Sequence, residues 1–255
     1  ILNTSKNITS VNFTRESDGV TRYMPVFVYY KENYYPTLSF LAGLKYTTNH
    51  NDKNINSVYT IENNIKNGII NFSYNLSVPI NDSGRAIMNW YKEDAIEKVS
   101  ISDVHNAIEN KNEEFLKEKI ENKVIYIGAT ASLLNDIKSS PISPITSGVN
   151  VHATFFTNFI NNDFILHVPV WVDVLISLIL SVLTVLLVNK IKNIFGSLCS
   201  TVGILALYFI TSLILMKSCN LWTGIILPFS VVLVYFITAY ILKYILKSKD
   251  YEQTY

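Results

Sequence analysis

The chain is short of charge, favours neither sign, and has no cysteine before position 199. Charged residues fill 16% of its 255 positions, against roughly 25% in ordinary soluble domains. With 49% hydrophobic residues and a mean hydropathy of +0.24, that shortage excludes a disordered chain and argues against a wholly soluble one. A net charge of +1 argues against a nucleic-acid partner. Cys199 and Cys219 lie in the apolar last third, so the polar part has no disulfide to offer. The two sit on one predicted helix, separated by roughly 30 Å of helical rise, and cannot bridge. No basic n-region or apolar h-region opens the chain at Ile1–Ser10, and it reads as a fragment or a processed chain. Nucleophile elbow, P-loop, HExxH and paired-acid arrangements are all missing. His50, His105 and His167 have no cysteine or carboxylate at metal-ligand spacing. No catalytic residue, metal or cofactor is therefore expected within these residues.

What is present divides at position 167. Residues 1–167 hold 15 Lys/Arg and 17 Asp/Glu, whereas residues 168–255 hold 6 and 3. The second part is built from three apolar runs, Val168–Val188, Ile194–Met216 and Leu221–Leu242. Each has the length that a bilayer core about 30 Å thick requires, roughly 20 residues. Lys190 and Lys192 follow the first run, and Lys243, Lys247 and Lys249 follow the third. The positive-inside rule then puts residues 243–255 in the cytoplasm as a linker, residues 168–242 in the membrane, and residues 1–167 outside the cytoplasm. Trp171 and Trp222 fall at the outer interface. Asp173 reads as a hydrated interfacial acid, and Pro228 as a kink in the third helix.

Within 1–167, strand and helix patterns alternate, which implies an α/β layer. Met24–Tyr30, Ser57–Ile61, Gly68–Val78 and Arg85–Tyr91 read as strands. A helix is predicted over Pro36–Tyr46, with Leu38, Leu41 and Leu44 at helical spacing. Ser102 is placed as the cap of a short helix, Asp103–Asn110, and Glu113–Glu121 as another. Lys123–Ile127 (KVIYI) is nearly all apolar, as in strands buried on both faces, and Gly128–Ala131 follows as a turn. Val149–Ile160 is predicted helical, with Val149, Ala153, Phe156 and Ile160 on one face. The N-x-S/T sequons at Asn7, Asn12, Asn71, Asn75 and Asn81 are what an Asn-rich composition yields by chance.

Four blocks in order carry a family resemblance. The first is Asp18-Gly19-Val20 with Arg22 and Pro25, then Tyr35-Pro36-Thr37-Leu38. The second is Val78-Pro79-Ile80 with Gly84 and Ile87-Met88-Asn89. The third is Lys123-Val124-Ile125-Tyr126-Ile127-Gly128-Ala129-Thr130 with Asp136 and Ser140-Pro141. The last is Gly148-Val149-Asn150-Val151-His152-Ala153. Together they resemble the second half of a CHASE2 domain, an extracytoplasmic sensor module of bacterial signalling proteins, over residues 11–165. The segment after Asn89 lacks the glycine of that pattern. The resemblance implies a partial α/β extracytoplasmic domain followed by three transmembrane helices in the inner or plasma membrane. It further implies a cytoplasmic output after Tyr255, most often an adenylate or guanylate cyclase, with histidine kinases of two-component systems or serine/threonine kinases as the alternative. A homodimer is expected on the same ground.

The turn at Gly128 leaves the carboxyl end of a predicted strand, where open α/β sheets bind ligands. Arg22, Gly128, Thr130, Asp136 and His152 are thus the candidate binding residues for an unidentified small extracytoplasmic ligand. Alternatively, Gly128 only makes the turn and Asp136 caps a loop. His152, beside Phe155, Phe156 and Phe159, reads first as a packed histidine bonded to a carbonyl and second as a ligand or pH sensor. A transporter or channel subunit and a membrane-anchored extracytoplasmic enzyme are the rival classes. The spans carry no central charge for the former, only hydroxyls such as Ser177, Ser181, Thr184, Ser200 and Thr201.

The lysine asymmetry makes a direct prediction. With Cys199 and Cys219 removed, cysteines placed at Asn51 and Ser248 of the full-length protein should differ toward an impermeant thiol reagent on intact spheroplasts. Asn51 is expected to label and Ser248 to stay unlabelled; the reverse pattern overturns the orientation.

Overall fold

A computed structural model describes residues 9–13, 15–31, 33–47, 65–66, 69–71, 77–92, 95–130 and 136–252. Ser57–Ile61 and Ala131 lie outside the described residues. The chain divides into two compact units, Ile1–Phe164 and Ile165–Tyr255.

In the first unit short strands surround two helices. The predicted strand Met24–Tyr30 breaks at Val26, whose N–H donates to the Gly84 carbonyl at 3.1 Å and whose carbonyl accepts from Thr37 N–H at 3.0 Å. Strand β1 (Tyr23–Pro25) therefore pairs with β7 (Arg85–Ile87), while β2 (Phe27–Tyr30) turns back onto β3 (Asn33–Pro36). Pro36 closes β3 rather than opening a helix, and α1 runs Leu38–Thr47. Strands β4 (Ile65–Lys66), β5 (Ile69–Asn71) and β6 (Ser77–Pro79) form an antiparallel sheet. Helix α2 (Ile101–Glu109) is capped by Ser100, not Ser102; the Ser100 hydroxyl accepts the Ser102 N–H at 3.3 Å. Asn112 caps α3 (Glu113–Lys119) in the same way at 3.1 Å. A hairpin of β8 (Ile137–Ser140) and β9 (Ser143–Ser147) leads into α4 (Gly148–Asn161), which ends on Asn162 at φ 52°, a left-handed cap that asparagine tolerates.

The core is the contact of α1 and α4 under the small sheets. Met24, Val26, Phe40, Leu44, Val78, Ala86, Met88, Val151, Phe155, Phe159 and Phe164 are buried together. Gly43 lies against the Phe159 ring, where a Cβ has no room, so the helices approach closely. The face of α4 that enters this core is not the one predicted. Val151, His152, Phe155, Asn158 and Phe159 are buried, while Val149, Ala153, Phe156 and Ile160 are only half-buried. Two polar side chains on the true face disguise it. Asn158 is fully buried, accepts the Asn89 N–H at 3.0 Å and donates to the Asn89 carbonyl at 2.9 Å. Its amide also reaches Tyr91 Oη and Asp163 Oδ1, both at 3.0 Å, and Tyr91 donates to Asp163 Oδ2. Burial, aided by the bond to Asp163, pushes the Tyr91 phenol up to about 12.

The Lys123–Ile127 expectation fails. Residues 123–130 form no strand, and their backbone takes no part in any ladder among the described residues. Tyr126 packs its ring on Phe156 at 5.9 Å between centroids, and Ile125 and Ile127 point away, 47% and 83% exposed. An apolar run records how hydrophobic a segment is, not whether a neighbouring strand meets it.

The second unit holds α5 (Val170–Lys190), α6 (Ile194–Cys219) and α7 (Ile226–Glu252), three helices long and apolar enough to cross a membrane. Strand β10 (Leu166–His167) pairs in parallel with β11 (Leu221–Trp222), so Leu221 and Trp222 precede the third helix instead of beginning it. Pro228 falls in the first turn of α7, where a missing N–H costs nothing, and does not act as a mid-helix kink. Helix α5 packs mainly on α7 through a small-residue face of Ser177, Ser181 and Thr184, all buried. Their hydroxyls donate to carbonyls one turn back at 2.6–2.9 Å, so no donor is left unmet in an apolar medium.

Two polar ties fasten this pair. Asp173 is 5% exposed within the unit, and its carboxylate accepts the Gly224 N–H at 3.1 Å. It is a buried acceptor, not the hydrated residue expected. A Cβ on residue 224 would lie 2.6 Å from Asp173 Oδ2. Tyr208 donates to the Gly224 carbonyl at 2.5 Å, and Ser212 bonds Thr223 at 2.6 Å. At the opposite end Lys243 Nζ donates to the Val188 and Ile191 carbonyls at 2.5 and 2.6 Å, capping the C-terminus of α5 where the helix dipole is negative.

Asn158→Ala removes the hydrogen bonds to Asn89, Tyr91 and Asp163 and is expected to destabilise the first unit by about 2–4 kcal/mol. Ile127→Ser should stay within about 0.5 kcal/mol of the wild type. Pulse proteolysis of the full chain across a urea series measures both, and equal losses would contradict this placement of residues 123–130.

Candidate functional site

The sequence-derived candidates meet in part, around the first turns of α4. The β8–β9 hairpin brings Asp136 to the start of the helix. Its carbonyl accepts the Gly148 N–H at 2.9 Å, and its carboxylate lies on the Gly148 Cα, so that a larger residue there would have to push the Asp136 side chain aside. A carboxylate at a helix N-terminus is favoured by the helix dipole, and Lys138 Nζ stands 3.9 Å from it. Gly128 packs against the next residue, with a hypothetical Cβ 2.7 Å from Val149 Cβ. One turn further, His152 points inward.

His152 joins three segments. Its Nδ1 lies 2.7 Å from Ser39 Oγ on α1, and its Nε2 lies 3.3 Å from the Val11 carbonyl oxygen. A carbonyl only accepts, so Nε2 bears the proton and Nδ1 accepts from the Ser39 hydroxyl. The Phe13 ring meets the imidazole edge-on at 5.7 Å. Burial pulls the imidazole below its usual range, against the Val11 hydrogen bond and the Asp136 charge. The phenol oxygen of Tyr126 is buried and within hydrogen-bond distance of no partner among the described residues, and burial drives the phenol well above its ordinary value.

A serine bonded to a histidine suggests a nucleophile and its base, but this pair lacks the access. Ser39 is fully buried, His152 nearly so, and the second ring nitrogen is engaged by a backbone carbonyl. The arrangement fastens the segment at Val11 to α1 and α4. Among the described residues no group of His, Cys, Asp and Glu could hold a metal ion.

Arg22 and Thr130 form no hydrogen bond or ion pair with this group among the described residues. Arg22 Nη1 is 2.8 Å from Asp18 Oδ2 and 3.4 Å from Glu16 Oε2. Asp18 also accepts the Val20 N–H at 3.0 Å in a turn where Gly19 has φ 81°. That bond and then Arg22 hold its carboxyl below the usual range. Thr130 is exposed. Sequence reasoning missed Ser39, Tyr126 and Phe13. The only hint was a serine, Ser39, between two apolar residues on a predicted helix face.

A neutral buried histidine makes acid stability predictable in sign. Because the folded imidazole titrates below the unfolded one, the unfolded chain gains the proton first as pH falls, and folding loses stability below about 6.5. The melting temperature of the first unit should drop between pH 7 and pH 5, and His152→Gln should flatten that drop. An unchanged slope in the variant would remove His152 from the account.

Comparison with known proteins bears on all of the first unit. No curated protein and no solved structure matches the chain significantly. The family profile of the CHASE2 domain matches residues 3–188, more than half of the chain, reaching from the first unit through most of α5. The chain, a sensor unit joined to three helices fit to cross a membrane, belongs to the CHASE2 domain family.

Proposed function

We propose that this chain relays a stimulus received outside the cytoplasm to an output unit joined to the C-terminal end of α7. The observation that carries the reading is the pairing of α5 with α7. Helix α5 is the first helix after the sensor unit in the chain, and α7 is the third. Asp173 holds Gly224 at one end of the pair and Lys243 holds the C-terminus of α5 at the other. A displacement of α5 is thereby passed to α7, and a stimulus acts by favouring one of two arrangements of the pair. The five lysines at the Lys243 end support placing that end in the cytoplasm. Resemblance to CHASE2 signalling proteins favours an adenylate or guanylate cyclase as the output, with a histidine or serine/threonine kinase as the alternative, and a homodimer as the working assembly. Gly128 and Asp136, at the start of α4 with His152 buried behind them, are the proposed entry point of a small ligand, because loop residues on a rigid helix can change without loss of the core.

In the full-length protein, Asp136→Ala is expected to leave folding within about 1 kcal/mol of wild type while altering cyclase or kinase output. A destabilised unit with normal output would return Asp136 to a capping role. Lys243→Gln should leave membrane insertion intact and change basal output several-fold. Normal basal and stimulated output in that variant would break the proposed relay.

A further inference from the structure

From Val174 to Lys249 the chain contains six lysines and no acidic residue. Five of the six gather at one end of the helices, against two acidic residues, Asp250 and Glu252, so that end carries a net positive charge. Lys243 is already committed to the Val188 and Ile191 carbonyls. Lys190 is exposed and forms no ion pair among the described residues.

Beside Lys190 an open groove of about 810 Å³ is walled by Leu183, Leu186, Leu187 and Ile204, and carries Asn189 and Lys190 on its rim. It exists because α5 packs along α7 and touches α6 less. From Leu183 to Lys190 the groove runs about 10 Å along the helix axis, comparable to the upper half of an acyl chain. An apolar trough ending in one ammonium and one amide, at the membrane boundary, matches a single chemistry. We propose that the groove binds an anionic glycerophospholipid, one acyl chain on the leucines and its phosphate on Lys190 Nζ and the Asn189 amide. Basic pockets between transmembrane helices recognise acidic headgroups in this way. The proposal needs only membrane insertion, and so stands apart from the relay reading.

Native mass spectrometry of the full chain, released from detergent with equimolar dioleoyl phosphatidylglycerol and dioleoyl phosphatidylcholine, tests it. The first bound lipid should be phosphatidylglycerol with about fivefold preference. Lys190→Gln should bring the ratio close to one, whereas Lys190→Arg and Lys192→Gln should keep it. Millimolar inorganic phosphate should not displace the lipid. No preference in wild type, equal loss in the 190 and 192 glutamine variants, or displacement by free phosphate would each overturn the site.

Discussion

The paired hydrogen bonds between the Asn158 amide and the backbone of Asn89 set the assembly of the first unit. An amide side chain here imitates a strand neighbour, accepting one N–H and donating to one carbonyl within the same residue. Without it, the segment leaving β7 would lose two backbone hydrogen bonds beside the core, at a cost of about 0.5–1.5 kcal/mol each. With it, α4 fixes where β7 ends, and β7 in turn fixes β1. Two turns earlier on the same face, His152 does for the segment at Val11 and for α1 what Asn158 does for Asn89. Helix α4 is thus a buried post to which three separate stretches of chain are fastened by polar contacts inside an aromatic core.

That arrangement explains what could and could not be read from residues alone. The three membrane helices were plain, since twenty apolar residues in a row have few other uses, and α4 was placed to within a residue or two. Its buried face was not. The pattern favours Val149, Ala153, Phe156 and Ile160 because all are apolar, whereas the true face includes a histidine and an asparagine whose partners lie far away in sequence. Lys123–Ile127 misled for the converse reason, an apolar run without a ladder. Of the candidate site, Gly128, Asp136 and His152 share one helix start because each occupies a position where the backbone comes close. Arg22, grouped with them in the sequence, instead pairs locally with Asp18 and Glu16, only a few residues away.

The second unit answers a different solvent. In an apolar medium every polar group needs a partner within the protein, and here each hydroxyl on the α5 face finds a carbonyl one turn back. The groups that cross between helices are few and sit at the two ends. This distribution makes the α5–α7 contact smooth in the middle and specific at its ends. Helix α6, with only Ser197, Thr201 and Ser212 buried, is held mainly through its links to its neighbours, and the groove beside Lys190 is the space that this leaves.

Helix α7 does not stop at the Lys243 tie but continues to Glu252, about 13 Å further by helical rise. Anything joined to it inherits an angular phase as well as a position. Each residue added or removed beyond Lys243 turns the attached unit by about 100° and moves it by about 1.5 Å. Seven residues nearly restore the original heading and three or four come close, while one or two reverse or sidestep it. Exchange of output units behind such a helix is therefore quantised, with junction length acting as a dial that has only a few working settings.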